Sequence, residues 1–211
     1  MSAIYFDLDG TLTDPKPGIT RSIQYALRRM HCEVPSEDAL IWCIGPPLRA
    51  SLATLLSGEA RADEALTFYR ERFSEIGLFE NSLYPGVTEL LSALSARNIP
   101  LFVATSKPAV YAERIVAHFG LNNYFQKIYG SELDGTRADK ADLLAHALTQ
   151  TRSDPGRSIM IGDRSHDMAG ARKNGMRGFG VLYGYGSEKE LLDSGAEQIF
   201  KTPEALKAAI G

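Results

Sequence analysis

The sequence predicts an α/β fold, a doubly wound parallel sheet with an α-helical subdomain inserted near its start. Three observations predict it. Short apolar runs that stop at polar residues recur along the chain, and apolar stripes at helical spacing lie between them. One long stretch carries such stripes but no strand-like run.

Ile4-Tyr5-Phe6 is the first run and stops at Asp7. Leu101-Phe102-Val103-Ala104 stops at Thr105, and Ser158-Ile159-Met160-Ile161 stops at Gly162-Asp163. Gly178-Phe179-Gly180-Val181-Leu182 is a weaker fourth. Runs of this kind, bounded by turn residues, are strands covered on both faces. Val87, Leu90, Leu91 and Leu94 form one helical stripe, and Leu143, Leu144, Ala147 and Leu148 another. Pro108 suits the first turn of a helix that continues through Val110, Ile115 and Phe119. From Pro15 to Leu83 the alternation breaks. Ile19, Ile23, Ala26, Leu27 and Met30 share one helical face, and Leu48, Leu52, Leu55 and Leu56 a second. Leu66, Tyr69, Phe73 and Ile76 make a third, ending at Gly77. The expected organisation is a sheet domain from residues 1–14 and 84–211, with residues 15–83 inserted as a helical domain.

Composition excludes several classes. The 211 residues include 23 Lys+Arg against 26 Asp+Glu, a formal charge of −3, and the pI is about 5.8. No basic excess marks a partner of a nucleic-acid polymer. Hydrophobic residues at 44% and charged residues at 23% exclude wholesale disorder. No apolar stretch reaches the roughly 18 residues that a membrane span needs. The start, Met1-Ser2-Ala3-Ile4-Tyr5-Phe6-Asp7, lacks the basic and then apolar pattern of a secretory signal. Cys32 and Cys43 are too few for a disulfide framework and lack zinc-ligand spacing. Two reduced, mostly buried thiols in a cytoplasmic protein are expected.

Ligands of an open parallel sheet bind beyond the carboxyl ends of its strands. Asp7 and Asp9 follow the first strand, Thr105 and Ser106 the second, and Asp163 and Asp167 the third. Four aspartates converging there would repel one another unless a cation neutralised them. All-oxygen ligands suit Mg²⁺, which favours phosphate-bearing substrates. His166 is expected to pack or hydrogen-bond rather than bind metal. Gly178-x-Gly180 lacks the third glycine and the helix start of a dinucleotide loop.

Asp7-Leu8-Asp9-Gly10-Thr11-Leu12-Thr13-Asp14 resembles the first motif, DxDGT, of the haloacid dehalogenase-like hydrolases. Thr105 after its hydrophobic strand resembles their second motif, and Lys140 their third. Gly162-Asp163-Arg164-Ser165-His166-Asp167 is similar to their GDxxxD fourth. The motifs stand in family order across the chain, and the insertion lies where this family carries its helical cap. The resemblance implies a Rossmann-like core and a set of roles. Asp7 is the nucleophile that forms an aspartyl-phosphate, and Asp9 the acid and base. Gly10 allows the turn, and the Thr11 hydroxyl orients the loop. Thr105 and Ser106 hold phosphoryl oxygens, and Lys140 offsets charge on the nucleophile and the phosphate. Lys107 competes with Lys140 for that place. Asp163 binds Mg²⁺ with Asp7 and the Asp9 carbonyl. Asp167 is a further ligand or orients one, with helix capping as its alternative.

Dehalogenating members lack an aspartate at the place of Asp9, so the resemblance implies phosphoryl chemistry. Ile44-Gly45-Pro46-Pro47-Leu48-Arg49, Tyr84-Pro85-Gly86-Val87 and Ala104-Thr105-Ser106-Lys107-Pro108 look like the phosphoglycolate phosphatase and 5′-nucleotidase-like branch. Thr13 departs from it, standing where many relatives carry an aliphatic residue. Arg49 is the cap residue expected to meet a substrate anion, a surface arginine being the equal alternative. The expected function is Mg²⁺-dependent hydrolysis of small phosphorylated metabolites, phosphoglycolate or nucleoside 5′-monophosphates, by a monomer or homodimer. The alternative is a phosphosugar mutase similar to β-phosphoglucomutase. A non-catalytic phosphate-accepting receiver module lacks both the cap and the second aspartate.

Overall fold

The computed structural model describes residues 3–210, so Met1, Ser2 and Gly211, at the ends of the expected spans, lie outside the described residues. Contacts divide the chain into two units, Met1–Asp14 with Leu83–Gly211, and Pro15–Ser82. In chain order the strands are β1 (Ile4–Phe6), β2 (Thr13–Asp14), β3 (Ser82–Leu83), β4 (Leu101–Pro108), β5 (Lys127–Ser131), β6 (Ile159–Gly162), β7 (Arg177–Val181) and β8 (Gln198–Phe200). The α-helices are α1 (Lys16–Arg29), α2 (Leu48–Leu55), α3 (Ala62–Phe73), α4 (Val87–Ala96), α5 (Ala109–His118), α6 (Lys140–Thr151), α7 (Ser165–Lys173), α8 (Glu188–Asp193) and α9 (Pro203–Ile210).

The larger unit is built on a six-stranded sheet of order β5-β4-β1-β6-β7-β8, with every neighbouring pair parallel. The chain therefore builds outward from β1 through β4 to β5. It then returns to the other side of β1 and continues through β6, β7 and β8. That reversal leaves the carboxyl ends of β1, β4 and β6 beside one crevice. Tyr5, Phe102, Ala104, Tyr129 and Met160 pack with Leu143, Leu144, Ala147 and Leu148 of α6 and Ala171 of α7. The Tyr5 and Phe102 rings stack with centroids 5.1 Å apart. The Tyr5 hydroxyl lies 2.7 Å from Thr151 Oγ1, so its polar end is satisfied. The intervening residues Ile4, Phe6, Val103 and Ile161 are buried as well. These central strands are covered on both faces, which is why they appear in the sequence as unbroken apolar runs.

Several expectations shift. The strands β5 and β8 lie at the two sheet edges and carry exposed residues at their starts, so no apolar run marked them. The fifth helix buries Ala112, Ile115 and Val116, whereas Val110 is exposed and Phe119 half-buried. Pro108 ends β4 and stands just before that helix, not within its first turn.

In the smaller unit α1 packs on α3. Ile19, Ile23, Ala26 and Leu27 form the buried face of α1, and Ala62, Ala65, Tyr69 and Phe73 that of α3. Helix α3 ends at Phe73, so helical spacing no longer governs Ile76, which is exposed. Leu66 is half-buried, as are Leu48, Leu55 and Leu56 around the buried Leu52. Both cysteines are free. Burial pushes the Cys43 thiol up to about 12, and Cys32 is half-buried and accepts a hydrogen bond from the Arg61 guanidinium at 3.5 Å. Among the described residues, no helix is long and apolar enough to cross a membrane.

Candidate active site

The site begins where β1 stops. Asp7 N–H donates to the Ile161 carbonyl of β6 at 2.8 Å, so the neighbouring strand fixes its backbone. The chain then turns tightly. Leu12 and Thr13 N–H groups both donate to the Leu8 carbonyl, at 2.9 and 3.0 Å, and Gly10 N–H donates to the Thr13 carbonyl at 2.7 Å. Gly10 has φ +85°, and a Cβ there would meet Asp163 Oδ2 at 2.2 Å. Only glycine meets both conditions. The Thr11 hydroxyl, fully buried, lies 3.5 Å from Asp163 Oδ1.

Lys140 is the first residue of α6, whose N-terminus is capped by the Asp139 carboxylate through the amides of Ala141 and Asp142. Its ammonium lies 2.9 Å from Asp7 Oδ1 and 2.8 Å from Asp167 Oδ1, and it donates to the Ala104 carbonyl at 2.8 Å. Two carboxylates and one carbonyl thus surround it. Burial alone would lower the pKa of this ammonium, but the Asp167 and Asp7 carboxylates outweigh it and hold the group charged. Lys107 takes a different partner, with its Nζ 2.8 Å from Asp9 Oδ2. The pairing of β4 with β5 shifts register between Thr105 and Pro108, and there Lys107 N–H donates to Thr105 Oγ1 at 3.3 Å. Such a bulge re-aims side chains at a strand end. Thr105 is buried, and Ser106 is half-buried with its carbonyl bonded by the Ser131 hydroxyl at 2.8 Å.

Asp163 directly follows β6 and is fully buried. Asp167 does two things at once. Its Oδ2 accepts the Arg164 N–H at 3.1 Å, tying down the start of α7, while its Oδ1 faces Lys140. Carboxylate oxygens of Asp7, Asp163 and Asp167 all lie within 4.8 Å of one another, and all three residues are buried. Burial, then the charges of Asp167 and Asp7, push the Asp163 carboxyl well up from its ordinary value. Burial also raises Asp167 and Asp9, against the pull of Lys140 and Lys107 respectively. Four carboxylates against two ammonium groups leave two negative charges in excess, the charge of one divalent cation. The donor set therefore fits a hard divalent ion with oxygen ligands.

The expected residues Asp7, Asp9, Gly10, Thr11, Lys140, Asp163 and Asp167 come together, with Thr105 and Ser106 at the adjoining strand end. His166 is exposed and outside the carboxylate cluster. Arg49, in the smaller unit, is exposed and bridges two carboxylates, with Nε and Nη2 on Asp63 at 2.7 and 3.1 Å and Nη1 on Glu59. One segment was not anticipated. The loop Tyr183-Gly184-Tyr185-Gly186 follows β7, and Tyr185 N–H donates to Asp163 Oδ2 at 2.8 Å. Its signal in the sequence is position, since the loop follows the apolar run ending at Leu182 as Asp7 follows Phe6.

Residues 4–181 match the family described as haloacid dehalogenase-like hydrolases. The chain belongs to that family. It is 51% identical over 189 residues to a 5′-nucleotidase of Pseudomonas aeruginosa, covering 89% of this chain and 86% of that one. A protein of Mycobacterium tuberculosis named tyrosine-protein kinase PtkA is 44% identical over 183 residues, and the match spans 87% of this chain but 62% of that one. The crystal structure of a predicted phosphatase from Clostridium acetobutylicum superposes with a TM-score of 0.96 at 40% identity, covering 99% of this chain and 97% of that one. The protein is accordingly an enzyme, a phosphatase of this family with its α/β fold.

Proposed function

We propose that this phosphatase hydrolyses small phosphomonoesters through an aspartyl-phosphate on Asp7, with Mg²⁺ as cofactor. The observation that carries the reading is the division of labour between two buried aspartates. Asp7 sits with Lys140 and the Asp163–Asp167 pair, whereas Asp9 has its own cation, Lys107. A carboxylate oxygen of Asp7 attacks phosphorus, and the ester P–O bond breaks. Asp9, whose carboxyl is raised by burial, gives its proton to the departing alkoxide. Asp9 then takes a proton from water as the water oxygen attacks phosphorus, which frees Asp7 and inorganic phosphate. Lys140 offsets charge on Asp7 throughout, and the Thr105 hydroxyl and nearby amides hold phosphoryl oxygens. Mg²⁺, held by Asp7, Asp163 and the Asp9 carbonyl with Asp167 beside them, would supply electrostatic shielding between nucleophile and phosphate. The name of the Pseudomonas relative favours nucleoside 5′-monophosphates over phosphoglycolate as substrates.

Asp7→Asn is expected to abolish Mg²⁺-dependent hydrolysis of p-nitrophenyl phosphate while circular dichroism remains that of the folded protein. Wild-type turnover by that variant would refute the nucleophile. Phosphate recovered on an acceptor hydroxyl instead of in solution would point to a mutase or a kinase-type transfer. Arg49 is proposed to serve the leaving group by exchanging Asp63 or Glu59 for a substrate anion. Arg49→Ala then raises KM for nucleoside monophosphates more than for p-nitrophenyl phosphate, and equal effects would leave it a surface residue.

A further inference from the structure

The loop after β7 has no part in the chemistry just described, yet its backbone lies against the most deeply buried carboxylate of the site. A Cβ at Gly184 would come within 2.2 Å of the Gly10 carbonyl and 2.5 Å of the Asp163 side chain. One at Gly186 would come within 1.9 Å of the Asp163 carbonyl. Between those two glycines stands Tyr185, which makes two bonds in different directions. Its N–H donates to Asp163 Oδ2 at 2.8 Å, and its hydroxyl donates to Asp14 Oδ1. Asp14 closes β2 and is the last residue of the larger unit before the chain enters Pro15–Ser82. The Tyr84 and Tyr185 hydroxyls also bond to each other, and the Tyr84 and Tyr183 rings meet edge to face at 5.0 Å.

We propose that Tyr185 is a positioning residue for the cation site, its hydroxyl anchored on Asp14 so that its backbone N–H holds Asp163 in the orientation that receives a divalent cation. The proposal rests on the reading of Asp163 as a cation ligand. A hydrogen bond to one oxygen of a carboxylate fixes which oxygen faces the ion, and such partners tune metal affinity without touching the metal. A glycine on each side leaves the loop few side-chain contacts of its own, so the hydroxyl anchor takes their place.

The test is Mg²⁺ binding to the full chain by isothermal titration calorimetry, with Tm recorded for each variant without metal. Partners of metal ligands are worth roughly 10–100-fold in affinity, and Tyr185 acts one bond further out. Tyr185→Phe and Asp14→Ala are each expected to weaken Mg²⁺ binding by about threefold to tenfold. The double variant should be no weaker than Tyr185→Phe, because the bond that Asp14→Ala removes is already absent there. Asp14→Asn keeps an acceptor oxygen and should restore most of the affinity, which a general loss of structure would not allow. Wild-type affinity in Tyr185→Phe, or additive losses in the double variant, would overturn the proposal. Asp163→Asn separates the two readings. It should abolish binding, and undiminished binding there would remove the cation site itself and the proposal with it.

Discussion

Lys140 is 4% exposed, and its ammonium answers to Asp7, Asp167 and the Ala104 carbonyl. Removing one member of a buried ionic group strands the rest, at about 3–5 kcal/mol, while the intact group adds far less than that to stability. Lys140→Met keeps the aliphatic stem and deletes the charge, so metal-free protein should lose roughly 3–5 kcal/mol in urea unfolding, and activity should vanish. A loss below about 1 kcal/mol would mean that the carboxylates find other partners. Residue type does not separate Lys107 from Lys140, although one stands at a strand end and the other opens α6. What separates them is a backbone irregularity, the register shift after Thr105 that turns Lys107 toward Asp9. Pro108, which cannot donate to the ladder, is the sequence signal of that shift, whereas Asp7, Asp9 and Asp163 are legible because each stands at or just beyond the end of an apolar run.

Helix α6 shows how an element delivers a functional group. Asp139 caps it, accepting the Ala141 and Asp142 amides at 2.9 and 3.1 Å, and Lys140 is the next residue. Leu143, Leu144 and Ala147 are fully buried and fix the helix against the sheet. The cap decides where the first turn starts and hence where the ammonium lies. Asp139→Ala should cost about 1 kcal/mol in stability, the ordinary value of an N-cap, and lower kcat by more than that loss of fold explains. Equal kcat in the variant would show that packing alone sets the position of Lys140. At this scale the sequence revealed elements in proportion to burial. Four central strands and the α6 stripe were legible, because two-sided burial demands apolar residues. The edge strands β5 and β8 were not, since an edge tolerates Lys127 and Gln198. Ile76 misled because a periodic pattern continued past the residue where α3 stops.

Across the whole molecule the excess of buried carboxylates ties fold stability to the cation. Asp163 has its carboxyl raised well above 3.8 by burial and by Asp167 and Asp7, with the Tyr185 N–H and Arg164 opposing. Lys140 neutralises part of the Asp7–Asp167 pair, and Lys107 is engaged by Asp9. A raised acid binds its proton more tightly folded than unfolded. Its contribution to metal-free stability is therefore present below the unfolded pKa and is lost as pH rises through the folded one. Mg²⁺ needs the deprotonated carboxylate, so its binding competes with that proton. At a Mg²⁺ concentration about 100-fold above Kd, mass action adds roughly 2.7 kcal/mol. The Mg²⁺-induced rise in Tm should be larger at about pH 7 than at about pH 5 when Mg²⁺ is held at one fixed concentration. Differential scanning calorimetry with and without EDTA reads it directly. A rise that stays flat across that interval would mean that Asp163 is already ionised in the metal-free protein, and that Lys140 alone balances the site.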